Sequence, residues 1–193
     1  MYQALLRDSS LFELLLRFDE DLAEETRRAG CACGGALHRA LFERKPRGGP
    51  EVLGPEYRVR FSYCCELEGC RRRVTPPSLR FLGRKVFFGV VVLLVPVLRD
   101  GPSEKRLKRL CAEFAVSLRT LRRWIRWWRE TFATGRFWLA SQGRFARPVA
   151  SQALPSSLLL AFERVGEVAS RVLAVLRFLA PITTGKGLFG PAF

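Results

Sequence analysis

Apolar residues recur at helical spacing near the N-terminus, where Leu11, Leu14, Leu15, Phe18 and Leu22 are separated by mostly polar positions. That period predicts an amphipathic helix over residues 10–29. Ser10 followed by Glu13 reads as a capping box, each side chain satisfying a free amide of the other, and Gly30 is placed to stop the helix. The opposite face, with Asp19, Glu20, Glu24, Glu25 and Arg27, is expected in solvent. Beyond Gly30 the period shortens. Tyr57, Val59, Phe61 and Tyr63 alternate with Arg58, Arg60 and Ser62, which predicts a strand with one apolar and one basic face. Pro and Gly punctuate Lys45 to Pro55, an expected solvent-exposed loop.

After Pro76 and Pro77 the helical period returns. Residues 84–98 predict an apolar helix, kinked or ended near Pro96. Asp100-Gly101-Pro102 predicts a turn, and two helices follow, Ser103 to Ala115 and Leu118 to Phe132, with a very short break between them. Residues 135–155 are looser. A last helix is expected from Ser157 to Leu179, before Pro181 and a Gly-rich tail that should be mobile from Thr183. The expected class is therefore mostly α with a small β element, an α+β arrangement. Its parts are an N-terminal helix (1–30), a cysteine-bearing β unit (31–77), a helical pair (78–134), and a linker, C-terminal helix and tail (135–193).

Charge narrows the class of partner. The chain of 193 residues carries a net charge of +15, distributed as −3 over residues 1–30, +16 over 31–150 and +2 over 151–193. The excess sits where the cysteines and the helical pair lie, and most of it is Arg, whose planar fork matches phosphate and the guanine edge. The longest charge-free apolar run, Val86 to Leu98, is shorter than the about 20 residues a bilayer span needs. Asp8, Glu13 and Asp19 interrupt any secretory signal, so a cytoplasmic protein without membrane partners is expected.

In a reducing compartment, clustered Cys points to metal before disulfide. Cys31-Ala-Cys33-Gly34-Gly35 is a tight pair followed by glycines, and Cys64-Cys65-Glu66-Leu67-Glu68-Gly69-Cys70 ends the alternating strand. Two such pairs joined by strand, loop and strand make a zinc ribbon, in which thiolates converge on one ion and small residues let amides turn toward sulfur. The favoured ligands are Cys31, Cys33, Cys65 and Cys70, with Cys64 as the alternative to Cys65, while His38 is expected on the strand surface, with a ligand role as its alternative. Four Cys would close the coordination shell, which makes the expected Zn2+ structural rather than catalytic. Cys111 belongs to an apolar helix face.

The helical pair carries the second motif. Ser103 should cap the first helix, whose apolar face is Leu107, Leu110, Cys111 and Phe114. Ser117 should cap the second. In that helix Leu118, Leu121, Trp124 or Ile125, and Trp128 form the buried stripe, while Arg119, Arg122, Arg123 and Arg126 share the other face. Like charges at this spacing repel unless an anion neutralises them, as phosphates and base edges do for a recognition helix in the major groove. Arg119, Thr120 and Arg123 are the candidates for base contact, and Arg122, Arg126 and Arg129 for phosphate. The clustered Trp124, Trp127 and Trp128 are expected in the core.

The order of these parts resembles the N-terminal DNA-recognition region of bacterial insertion-sequence transposases. The likeness rests on the knuckle, the strand ending Tyr-Cys-Cys…Gly-Cys-Arg-Arg-Arg, Thr75-Pro-Pro-Ser, Phe81-Leu-Gly-Arg-Lys, the apolar helix and the helical pair, over Cys31 to Glu130. It implies that Cys31, Cys33, Cys65 and Cys70 bind zinc and that Arg119 to Arg126 bind transposon-end DNA. A transposase would continue into a nuclease domain with three metal-binding carboxylates. After the helical pair this chain has only Glu130, Glu163 and Glu167 and no Asp, so a non-catalytic protein is expected. Its expected partners are double-stranded DNA and a separately encoded transposase, at a bacterial nucleoid, and the apolar face of the last helix is expected to pack on the core or, as the alternative, to hold a second copy of the chain. The rival expectation is an adaptor whose basic face binds RNA or an acidic protein.

Overall fold

The computed structural model describes residues 2–82, 85–99 and 104–184. It is mostly helical with small antiparallel sheets, in agreement with an α+β class. The body is built round α3 (Gly89–Arg99), in which Val90 to Val95 have no exposed surface at all. A helix apolar on every side must be covered on every side. The cover comes from α1 (Tyr2–Leu5), α2 (Ser9–Ala29), α5 (Leu118–Arg126) and α8 (Val168–Leu179), whose Phe12, Leu15, Leu121, Val172 and Val175 share its core.

Pro96 lies inside α3 and does not end it. Proline has no N–H to give the carbonyl four residues earlier, so Val92 O loses its helical donor. The indole Nε1 of the fully buried Trp128 donates to that oxygen at 3.1 Å. The helix thus continues past Pro96 because a neighbour supplies the missing hydrogen bond.

The N-terminal helix begins one residue before the expected start. Asp8, not Ser10, is the N-cap, its Oδ1 accepting from the Ser10 amide at 3.0 Å, and Gly30 closes the helix with φ 71°. Asp19, expected in solvent, is completely buried. Its carboxylate accepts from the Leu79 amide at 2.6 Å, from Arg80 Nε at 2.9 Å and from the Ser78 hydroxyl. Arg80 is equally buried and spends its other nitrogens on the carbonyls of Glu56, Tyr57 and Val59. Buried charge is tolerated because every donor and acceptor finds a partner. This node ties α2 to the chain leaving the sheets.

A three-stranded sheet orders β1 (Leu37–Arg39), β4 (Tyr63–Cys65) and β5 (Arg73–Val74), all antiparallel with β4 in the middle. The register sets Leu37 opposite Cys65 and Tyr63 opposite Val74. β2 (Phe42–Glu43) pairs with β3 (Val59–Arg60). The expected single alternating strand is broken. Pro55–Arg58 forms a 3₁₀ turn, and Arg60 and Ser62 are buried rather than lying on an exposed basic face. Arg60 turns inward to donate to the carbonyls of Pro76 and Thr183, at 2.5 and 3.3 Å.

α4 (Glu104–Glu113) and α5 are joined by residues 114–117. The turn is pinned by Val116 N to Cys111 O at 2.8 Å, with Ala115 at φ 49°. α5 then widens into a π-helical turn over Trp127–Phe132. The loose stretch expected after it contains α6 (Arg136–Ser141). The expected last helix is two, α7 (Ser156–Ala161) and α8, because Gly166 at φ 101° and the extended Glu167 reverse the chain between them. The Asp100-Gly101-Pro102 turn, the Ser103 cap, the Leu110 side chain and the tail beyond Thr184 lie outside the described residues. Among the described residues, no helix is long and apolar enough to cross a membrane.

Candidate metal centre and basic helix

The four favoured cysteines come together. The Sγ atoms of Cys31, Cys33, Cys65 and Cys70 all lie within 4.8 Å of one another, with Cys31 to Cys70 at 3.7 Å and Cys33 to Cys65 at 3.5 Å. A tetrahedral ion bound to sulfur at about 2.3 Å requires sulfurs about 3.8 Å apart. The thiols are therefore already spaced for one thiophilic cation.

Local sequence explains the convergence. Gly30 ends α2 and delivers Cys31 into a turn held by Gly34 N to Cys31 O at 2.8 Å and Cys31 N to Gly35 O at 2.9 Å. Gly34 takes φ 87°, where a side chain is strained. Gly35 has no room for one: a Cβ there would stand 2.7 Å from Cys65 Sγ. On the other side β4 carries Cys65 directly opposite Leu37, and a turn bonded from Cys70 N and Arg71 N to Leu67 O brings Cys70 back. Three amides point at sulfur, Gly35 at Cys33, Leu67 at Cys65 and Arg72 at Cys70, each two residues beyond its cysteine. Amide donors aimed at sulfur stabilise thiolate, the form that binds metal.

The Gly35 amide, helped by the Cys70, Cys31 and Cys65 thiols, holds Cys33 down to about 7. Burial pushes Cys65 up to about 12. For Cys70 the Arg72 amide is the largest influence and lowers it, yet the Cys33 thiol, burial and Cys31 together raise it. Four thiolates this close repel one another, and a dication is the group that removes the conflict. The donor set fits a soft, closed metal site and does not suit Mg2+ or Ca2+, which take oxygen ligands.

The remaining candidates are elsewhere. Cys64 points out of the cluster, its Sγ directed to Arg71 O at 3.5 Å. This separates it from Cys65. His38 is exposed and sits 3.2 Å from Glu66 Oε2, outside the sulfur group. Cys111 is buried in the helical core.

α5 presents the basic face. Ser117 is its N-cap, with Oγ accepting from the Thr120 amide at 3.1 Å and lying 2.9 Å from the Thr120 hydroxyl. Leu121, Trp124, Ile125 and Trp128 are buried, and Leu118 is half-buried. Arg119, Arg122, Arg123, Arg126 and Arg129 are all exposed, and none forms a salt bridge among the described residues. One cation beside this face was missed in the sequence. Lys85 Nζ lies over the Trp127 ring, 4.1 Å from its centroid, and close enough to Arg123 to feel its charge. Only the fold of α3 against α5 brings it there, so no local pattern marks it.

Comparison with protein-family models, with curated proteins and with solved structures finds no match for this chain.

Proposed function

We propose that this chain is a non-catalytic duplex-DNA-binding protein, related to the DNA-recognition region of insertion-sequence transposases, with a zinc ribbon as its structural brace. The observation that carries the reading is α5. Its apolar side is locked into the core while four arginines, joined by Arg129 in the π-helical turn that follows, stand exposed on the other side without a carboxylate partner among the described residues. Such a helix lowers its own electrostatic energy by meeting phosphate, and a rigid, capped helix end can hold Arg and Thr side chains against base edges. Arg119, Thr120 and Arg123 read bases in this proposal. Arg122, Arg126 and Arg129 bind phosphate, and Ser117 fixes the helix start.

Zn2+ on Cys31, Cys33, Cys65 and Cys70 is the ion the four-sulfur set favours, and with four protein ligands it would stabilise the fold rather than do chemistry. The small sheet supports that role, because among the described residues its buried core is Ala23, Cys31, Leu37, Tyr63 and Cys65, with Phe61, Cys70 and Val74 partly buried against it.

The test is selection from a random duplex pool with zinc-loaded protein, alongside metal analysis. About one zinc per chain is expected. The bound fraction should be enriched in one motif, lost in an Arg119→Ala, Arg123→Ala double variant. Absence of enrichment, with binding transferred to RNA or to an acidic protein in competition, would overturn the reading in favour of an adaptor.

A further inference from the structure

The basic surface does not stop at the edge of α5. Lys85 lies against Trp127 beside Arg123, and the chain that follows it is held to the expected loop of residues 45–55. Arg44 Nη2 donates to Lys85 O at 2.9 Å, Arg47 N to Val86 O at 2.9 Å, and Phe88 N to Arg47 O at 3.2 Å. Phe87, paired with Arg47, packs its ring edge-on to Trp124 of α5 with centroids 4.9 Å apart. The loop is therefore a ledge fixed at Arg47, by one isolated bridge, to the segment that packs on α5. Its Lys45 and Arg47 side chains are exposed, and between Glu43 and Glu51 the chain carries no acidic residue.

We infer that Lys45, Arg47 and Lys85 form a second phosphate-binding element for the duplex that α5 reads. This rests on the DNA reading above and extends its footprint to residues outside α4 and α5. The physical reason is the fit of a helix to its groove. An α-helix with side chains is about 10–12 Å across and the major groove about 12 Å wide, so residues flanking the helix meet the phosphate wall. Phosphate contacts there set orientation and depth of insertion without reading sequence. The ledge is suited to that role because its backbone is hydrogen-bonded at Arg47 to the segment leading into α3.

Salt dependence separates this from general stickiness. Each phosphate neutralised contributes about 0.9 to the slope of log K against log salt. For a Lys45→Ala, Arg47→Ala double variant the slope, measured on the selected duplex, should become shallower by about 1 to 2. Affinity should fall by a similar factor for every sequence, and the preferred motif should not change. An Arg47→Lys variant should keep the slope, and melting temperature and metal content should match the wild type in both variants. A double variant with the wild-type slope overturns the inference while leaving the α5 reading intact. If the wild type binds no duplex, the α5 reading fails and this inference falls with it. A changed motif in the loop variant also overturns it, because the ledge would then be reading bases.

Discussion

Arg80 and Arg123 carry the same guanidinium into opposite surroundings. Arg80 is sealed between the sheets and α2, with Asp19 and three backbone carbonyls as partners, whereas Arg123 stands on α5 in solvent without a salt bridge among the described residues. Arg60 and Lys85 fall between these extremes. Arg60 is buried, with Nη2 bonded and Nη1 without a hydrogen-bond partner among the described residues, and Lys85 is half-buried over a tryptophan ring. The gradient teaches that a count of basic residues overstates the surface open to an anion. Part of the positive charge in residues 31–150 braces the fold, while the part on α5 has no carboxylate partner within the described chain.

The steepest test of that contrast is Arg80→Met. Removing one member of a buried ion pair leaves the other charge without compensation, and the loss should be about 3–5 kcal/mol, read as a lower urea midpoint. Wild-type stability in this variant would mean that Asp19 is hydrated and that the two regions do not differ as described. Arg60→Met should cost less, about 1–3 kcal/mol, because it strands the Pro76 and Thr183 carbonyls but removes a poorly satisfied cation. Burial already pulls Arg60 down to about 10, against Asp19 and with Arg80 and Arg44, so its charge is the less welcome of the two. Equal losses for Arg60→Met and Arg80→Met would erase the distinction between a paired and an unpaired buried arginine.

Sequence reasoning reaches this molecule unevenly, and the reason is distance along the chain. The four clustered cysteines were legible because thiol spacing and the glycines after Cys33 are local, and α5 because its stripe repeats within three turns. Asp19 was not, since its partners Ser78, Leu79 and Arg80 come from a distant segment and an acid on a helix face looks solvated from its neighbours alone. Arg60 misled for a related reason. An alternating pattern assigns it to the polar face, but the 3₁₀ turn before it and the carbonyls of Pro76 and Thr183 draw it inward. Pro96 predicted a kink or an end, and only the remote Trp128 indole shows why the helix carries on.

Lys85 offers an intermediate test through pH. Burial first, and then Arg123, lower it from 10.5 to about 8. Below about 8 both folded and unfolded chains hold the proton, so the full penalty of burying the ammonium is present. As pH rises from about 8 to 10.5 the folded protein sheds that proton first, and stability should increase. Urea midpoints across this window in the metal-loaded protein should climb for the wild type relative to Lys85→Met. Parallel curves for the two proteins would show that Lys85 is as hydrated as the α5 arginines.

The smallest effect on stability should come from the face with the largest net charge. Arg122 and Arg126 stand one turn apart, both exposed, and like charges at that spacing oppose the helix. An Arg122→Ala, Arg126→Ala variant should therefore keep wild-type stability to within about 0.5 kcal/mol, with any change being a gain at low salt that shrinks as salt is added. Its duplex affinity should nevertheless fall, with a salt slope shallower by about 0.9 for each phosphate that is no longer neutralised. A destabilisation comparable to that of Arg60→Met would show these side chains bound to the protein itself. The helix would then have no surplus charge to offer DNA, and the contrast with the buried arginines would disappear.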